Sequence, residues 1–153
     1  MLEAGDKAPD FDLPTDGGGR ARLADYVGRA VVVYFYPKDD TSGCTKQAQG
    51  FTERAADFAN AGAVVIGVSK DPPRSHDKFK TKYGLDLVLG SDEDTAVMQA
   101  YGAWQEKSMY GRKYMGADRS TFLIGPDGVL KRVWRGVKVP GHVDEVLEAA
   151  RAL

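Results

Sequence analysis

The chain reads as an α/β fold: a mixed central sheet with helices on both faces, entered through an N-terminal β-hairpin. Three observations carry that expectation. Two apolar, β-branched runs, Ala30 to Tyr36 and Ala63 to Ser69, flank a segment whose apolar residues recur at helical spacing, which makes a βαβ unit with parallel strands. Later, Thr121 to Ile124 and Val129 to Trp134 flank Gly125-Pro126-Asp127-Gly128, a strong hairpin signal. The composition, with 42% hydrophobic and 28% charged residues over 153 positions, suits one globular domain spanning 1–153 that builds its core without disulfides or structural metal.

In chain order, Phe11 to Leu23 reads as two short strands around a glycine-rich turn at 16–19. No Gly-Lys-Ser/Thr follows those glycines, so they are not a phosphate loop. After the strand at 30–36, one helix is expected from Cys44 to Asn60, with Ala48, Phe51, Ala55, Phe58 and Ala59 on its buried face and Gly62 as its stop. Gly50 weakens that helix by roughly 1 kcal/mol relative to alanine, so a bend or a close packing contact is expected there. A helix from Asp71-Pro72-Pro73 to Tyr83 ends at Gly84, a short strand covers 87–89, and a short helix opens on Asp92-Glu93-Asp94 and closes at Gly102. The last helix follows Pro140, with Val143, Val146, Leu147 and Ala150 at helical spacing. This order fits a thioredoxin-like fold better than a dinucleotide-binding one, whose glycine fingerprint is absent.

Charge and patterning remove several function classes. A net charge of −1 gives no electrostatic case for nucleic acid or for an anionic membrane surface. No apolar run approaches the ~20 residues of a membrane span, and Met1 to Lys7 lacks the basic and apolar blocks of a secretory signal. A single cysteine forms no internal disulfide, and the expected compartment is the cytoplasm. His76 and His142 fall on different helical segments and share no motif with the cysteine, so no metal and no cofactor are expected. The stretch 102–117 mixes Trp104, Tyr110 and Tyr114 with Lys107, Arg112 and Lys113. That mixture suggests a single-strand-binding surface, which the near-neutral net charge disfavours; together with the family resemblance given below it reads as a loop flanking the active site. The glycine-rich turn and the charged face of residues 74–82 read as solvated surface.

The single cysteine is the most informative residue. Cys44 starts a helical stripe directly after a buried strand and a turn, where free backbone N–H groups and the positive end of the helix dipole favour an anion. The thiolate is the reactive form of cysteine, so Cys44 is the best candidate nucleophile, although most lone cysteines are small buried hydrophobes. Thr41 precedes it by three residues, the spacing of a Cys-x-x-Cys pair with hydroxyl in place of the first sulfur. From spacing alone Thr41 reads equally as a hydrogen-bonding group at the mouth of the site and as a helix cap or turn residue. Pro37 fixes the entry of the chain and shields the thiol. Arg119, at the start of a late strand, reads unaided as a surface charge.

Pro37-x-x-x-Thr41-x-x-Cys44 resembles the active-site signature of the peroxiredoxins. The surrounding sequence is similar to their bacterioferritin-comigratory, or PrxQ, branch along the whole chain: Gly5-Asp6-x-Ala8-Pro9-Asp10-Phe11-x-Leu13-Pro14, Tyr34 to Thr45, Gly90-Ser91-Asp92, Gly102-x-Trp104, Glu106-Lys107, Met109-Tyr110-Gly111 and Arg119-x-Thr121-Phe122-Leu123-Ile124. The resemblance implies a thiol peroxidase acting on hydrogen peroxide and small organic hydroperoxides through a sulfenic acid on Cys44. It also implies that Thr41 and the Cys44 N–H orient the peroxide and that Arg119 stabilises the thiolate and the developing charge. Two departures stand out. Ser42 replaces a proline common in the family, and Gln49 stands where many members carry a resolving cysteine. With the alternative position on a later helix also empty, a one-cysteine mechanism remains, with an external thiol reductant: thioredoxin, glutaredoxin or a low-molecular-weight thiol. A monomer or weak homodimer is expected. The competing readings are a thiol–disulfide oxidoreductase, opposed by the missing second cysteine, and a non-catalytic peroxide sensor on the same fold.

Overall fold

A computed structural model describes residues 1–153. Its centre is a five-stranded sheet in which β3 (Ala30–Phe35) pairs in parallel with β4 (Ala63–Ser69), itself parallel to the edge strand β5 (Val88–Ser91). On its other side β3 runs antiparallel to β8 (Ser120–Ile124), which pairs with the edge strand β9 (Leu130–Trp134). Every residue of β3 is buried, as expected of a strand covered on both faces. Because side chains alternate across a strand, β3 feeds two cores. Val32 and Tyr34 meet Ala48, Phe51 and Phe58 from α1 (Ser42–Glu53) and α2 (Ala55–Asn60), Phe79 from α3 (Pro73–Tyr83), and Val146 and Leu147 from α5 (His142–Arg151). Val31, Val33 and Phe35 face the other way, toward Leu13 of the N-terminal hairpin β1 (Asp12–Pro14) and β2 (Arg20–Arg22), Met98 of α4 (Ala96–Ala100), and Tyr101.

The expected βαβ unit, both hairpins and the closing helix are all present. Three expectations need correction. The helix expected from Cys44 to Asn60 is two helices, broken at Arg54 (φ −103°, ψ 11°) rather than bent at Gly50. Gly50 instead permits close packing, since a Cβ there would lie 3.0 Å from Val143 Cγ2 of α5. The loop expected over 102–117 is a separate antiparallel ribbon, β6 (Trp104–Met109) with β7 (Arg112–Ala117), turning at Tyr110 and Gly111, both with positive φ. Only its base is covered, with Ala117 buried and Trp104 packed on the same core, and the rest of both faces is exposed or half-buried, so periodicity carries no strand signal. Finally, the glycine-rich turn is not simply solvated. Asp16 accepts from Lys80 Nζ at 2.5 Å and from the Leu89 N–H at 3.0 Å, and the Gly17 N–H donates to Asp77, which fastens the hairpin to α3. No helix is long and apolar enough to cross a membrane.

Candidate active site

The chain leaves the buried end of β3 at Tyr36, surfaces at Pro37 and Lys38, and enters α1 at Ser42. Thr41 occupies the cap position with extended backbone, but its hydroxyl caps nothing. The hydroxyl donates to the Lys38 carbonyl at 2.8 Å, a turn bond, while the Thr41 carbonyl accepts the first helical bond from the Thr45 N–H at 2.8 Å. Cys44 therefore lies in the first turn of α1, where N–H groups have no intrahelical partner. Its side chain points into the sheet-facing core and the residue is only 2% exposed.

Arg119 reaches this thiol from 75 residues away in sequence. It immediately precedes β8, and the antiparallel register that pairs Phe35 with Ser120 carries it just past the end of β3, the point from which the Cys44 loop departs. Its Nη2 lies 3.3 Å from Cys44 Sγ and its Nη1 donates to Gln47 Oε1 at 2.6 Å. Gly43 leaves room for the approach, since a Cβ there would lie a tight 3.3 Å from Nη2. Gln47, one helical turn after Cys44 and fully buried, thus holds the guanidinium from the far side. This residue was missed in the sequence, although a glutamine on the apolar stripe of an amphipathic helix was the available signal.

Beneath the thiol, Tyr34 stacks on Phe51 with ring centroids 4.7 Å apart. Gly67 forms the floor under the Tyr34 ring, where a Cβ would approach Cζ to 2.7 Å. The Tyr34 hydroxyl is buried without a partner. Burial first, with the negative charges of Cys44 and Asp39 adding and Arg119 opposing, pushes this phenol far above its ordinary range, so it stays neutral.

On the α3 side of the loop lies a buried polar cluster. The Asp39 carboxylate accepts from Tyr36 OH at 2.5 Å and Ser75 Oγ at 2.8 Å, and meets His76 Nδ1 at 2.7 Å. His76 Nε2 lies 3.0 Å from the Gly90 carbonyl. The sequence offers His76 only as a candidate metal ligand; the structure makes it a fully buried hydrogen-bonding residue of the core. His142 is the other buried imidazole, with Nε2 2.8 Å from Thr121 Oγ1 and its ring edge-on to Trp134. No three His, Cys, Asp or Glu side chains gather closely enough to hold a metal ion. The structure thus brings Cys44, Thr41 and Arg119 to the same end of β3, with Pro37 at the surface where the loop begins.

The chain matches the AhpC/TSA family over residues 4–133. It is 50% identical over 146 residues to a putative peroxiredoxin bcp of Coxiella burnetii, covering 95% of this chain and 97% of the relative. It is 45% identical over 150 residues to peroxiredoxin Bcp of Bacillus subtilis, covering 98% and 96%. Among solved structures, the bacterioferritin comigratory protein of Xanthomonas campestris, described for its alkyl peroxide reduction activity, superposes with a TM-score of 0.89 at 43% identity, over 93% of this chain and 90% of that one.

Proposed function

This chain belongs to the AhpC/TSA family as a peroxiredoxin of the Bcp/PrxQ type and is a thiol-dependent peroxidase; from that premise we propose that it reduces hydrogen peroxide and small organic hydroperoxides through a sulfenic acid on Cys44, recycled by an external thiol. The observation that carries the assignment is the 3.3 Å contact between Arg119 Nη2 and Cys44 Sγ in the first turn of α1. A guanidinium that near a sulfur stabilises negative charge developing at the reacting sulfur and on the adjacent oxygens. The Thr41 hydroxyl spends its proton on the Lys38 carbonyl, which leaves it an acceptor for the peroxide O–H.

In the first step the Cys44 thiolate attacks one peroxide oxygen, an S–O bond forms and the O–O bond breaks. The departing oxygen takes a proton and leaves as water or alcohol. In the second, a thiol attacks the sulfenic sulfur and expels water, giving a mixed disulfide, and a second equivalent of thiol releases Cys44. The balance is one hydroperoxide and two thiols to one alcohol or water, one water and one disulfide. Cys44 is the only cysteine, so no internal partner exists for the sulfenic acid. At 2% exposure the sulfur meets a small peroxide more readily than a bulky reductant, so reduction requires the first turn of α1 to open. We assign this chemistry to the cytoplasm, where a thiol pool supplies the reductant. The alternative, a non-catalytic sensor, is not favoured by relatives that are peroxiredoxins.

The test is peroxide consumption by the pure protein with thioredoxin, glutaredoxin and low-molecular-weight thiols, run beside Cys44→Ser. Turnover with at least one donor and none in the variant is expected. One equivalent of peroxide without reductant is expected to give sulfenic and then sulfinic acid by mass spectrometry. A Cys44–Cys44 disulfide between chains as the sole and rapid product would replace the external-thiol mechanism with resolution across a subunit interface.

A further inference from the structure

The loop that carries Thr41 has two internal side-chain bonds, from Thr41 to the Lys38 carbonyl and from Tyr36 to Asp39, and it is fastened to α3 at two consecutive residues. The buried anchor is Asp39, held by Ser75 and His76 of that helix at 2.8 and 2.7 Å, while its own N–H donates to Asp71 Oδ2 at 2.8 Å. Asp71 is tied in turn to Ser69 Oγ at the end of β4, at 2.7 Å. The exposed anchor is Asp40, whose carboxylate accepts from Lys82 Nζ at 2.8 Å and from Tyr83 OH at 2.5 Å in the last turn of α3. The second anchor also has an unusual backbone: Asp40 has φ +58°, a left-handed conformation that Asp and Asn enter more readily than other L-residues. This residue is the one directly before Thr41.

We infer that α3 is the positioning element of the peroxide loop: through Asp39 and Asp40 it holds Thr41 in register with Cys44, which makes Tyr83, Lys82, Ser75 and His76 positioning residues for the reaction. The inference rests on the peroxidase reading above. Orientation of the peroxide depends on Thr41 and Cys44 keeping their relative placement, and displacements of an ångström at a reacting centre are costly. The same clamp keeps the first turn of α1 closed over the sulfur. Releasing it therefore slows attack on peroxide while speeding attack on Cys44 by a larger reagent from outside.

The exposed half of the clamp can be cut without touching the core. Tyr83→Phe removes the hydroxyl and keeps the ring, which packs edge-on against Phe79 at 5.7 Å, and it is combined with Lys82→Met. Asp40→Ala removes both bonds at once, while Asp40→Asn still accepts from Tyr83 and tolerates the left-handed region. Lys131→Met, which cuts the exposed pair with Asp127 elsewhere, is the control. Three quantities are read: the second-order rate with hydrogen peroxide, the rate of Cys44 alkylation by iodoacetamide, and the thermal midpoint. The double variant and Asp40→Ala are expected to lose about three- to tenfold in peroxide rate and to gain by a similar factor in alkylation, with the midpoint close to the control for the double variant and lower for Asp40→Ala, whose side chain fits the left-handed backbone less well, and Asp40→Asn to recover most of both rates. Wild-type values for both rates in the double variant and in Asp40→Ala overturn the clamp, as does an Asp40→Asn variant as impaired as Asp40→Ala. If the wild-type protein itself fails to reduce peroxide, the peroxidase reading falls, and the alkylation rates alone still decide whether α3 holds the loop.

Discussion

Around Cys44, side chains from three separate stretches of chain converge: the buried Tyr34 from β3, the buried Gln47 and Phe51 from α1, and the half-buried Arg119 just before β8. The β6–β7 ribbon carries a comparable set of groups, Met109, Tyr110, Arg112, Lys113, Tyr114 and Met115, but all are exposed, with Tyr110 at 99%. The ribbon pairs only with itself, tied at its base by the Asp118 N–H donating to the Ala103 carbonyl at 2.7 Å. Aromatic and basic residues clustered in sequence thus stay solvated, whereas groups scattered in sequence form a hydrogen-bonded constellation. Fixed geometry comes from burial and from hydrogen bonds that leave no rotamer freedom. Proximity along the chain does not supply it.

The comparison breaks most visibly in stability. Phe51 is buried beside Tyr34 and also contacts Phe58, with ring centroids 5.6 Å apart, so Phe51→Ala is expected to cost about 3–5 kcal/mol in urea unfolding. A loss under about 1 kcal/mol would mean that the wall of the thiol pocket can collapse and that its geometry is not fixed by packing. Next comes rate. On the proposed roles, Thr41→Val and Arg119→Met each reduce the second-order rate with peroxide at least about tenfold, the effect of ~1.4 kcal/mol at the transition state. Wild-type rates in folded variants would remove those roles.

A smaller effect concerns His142, whose burial, opposed by Glu145 and assisted by Arg119, holds the imidazole below its ordinary value of 6.5. The native ring therefore stays neutral where the unfolded one takes up a proton. Its contribution is fully present above about pH 6.5 and is lost as pH falls from there toward the lower native value. Urea midpoints of wild type and His142→Gln, compared at about pH 7.5 and about pH 5.5, should diverge, with the wild type losing more on acidification. Parallel changes would show that His142 titrates as in the unfolded chain. The smallest effect belongs to the ribbon: Tyr110→Ser and Met115→Ser should leave stability within about 0.5 kcal/mol and the peroxide rate unchanged. A fall in rate with either variant would make the ribbon part of the site.

Much of this was legible in the chain itself. The parallel βαβ unit followed from periodicity, because buried strands and an amphipathic helix leave unlike patterns. Cys44 stood out because its place at a strand–turn–helix junction can be read locally, and the resemblance around Pro37, Thr41 and Cys44 pointed to thiol peroxidase chemistry. The break at Arg54 was not legible, since Arg54 is an ordinary helix former and the break appears only in the assembled backbone. Nor was the ribbon, because only its base is buried and strand patterning records burial.

Sequence alone determined the candidate nucleophile, the absence of a second thiol, and the order of the βαβ unit, the two hairpins and the closing helix, all of which are local or additive properties of the chain. Only the tertiary structure decided what surrounds the sulfur. Arg119 is a surface charge in one dimension and a thiol ligand in three, because antiparallel pairing of β8 with β3 sets the start of one strand beside the end of the other. Gln47 holds that arginine, and Asp39 and Asp40 tie the loop to α3, through hydrogen bonds between residues 36 to 72 positions apart, apart from the local bond from Tyr36 to Asp39. Such bonds obey no spacing rule. They exist because folding removes water from both partners at once and leaves each polar group only the neighbours that the topology has brought to it.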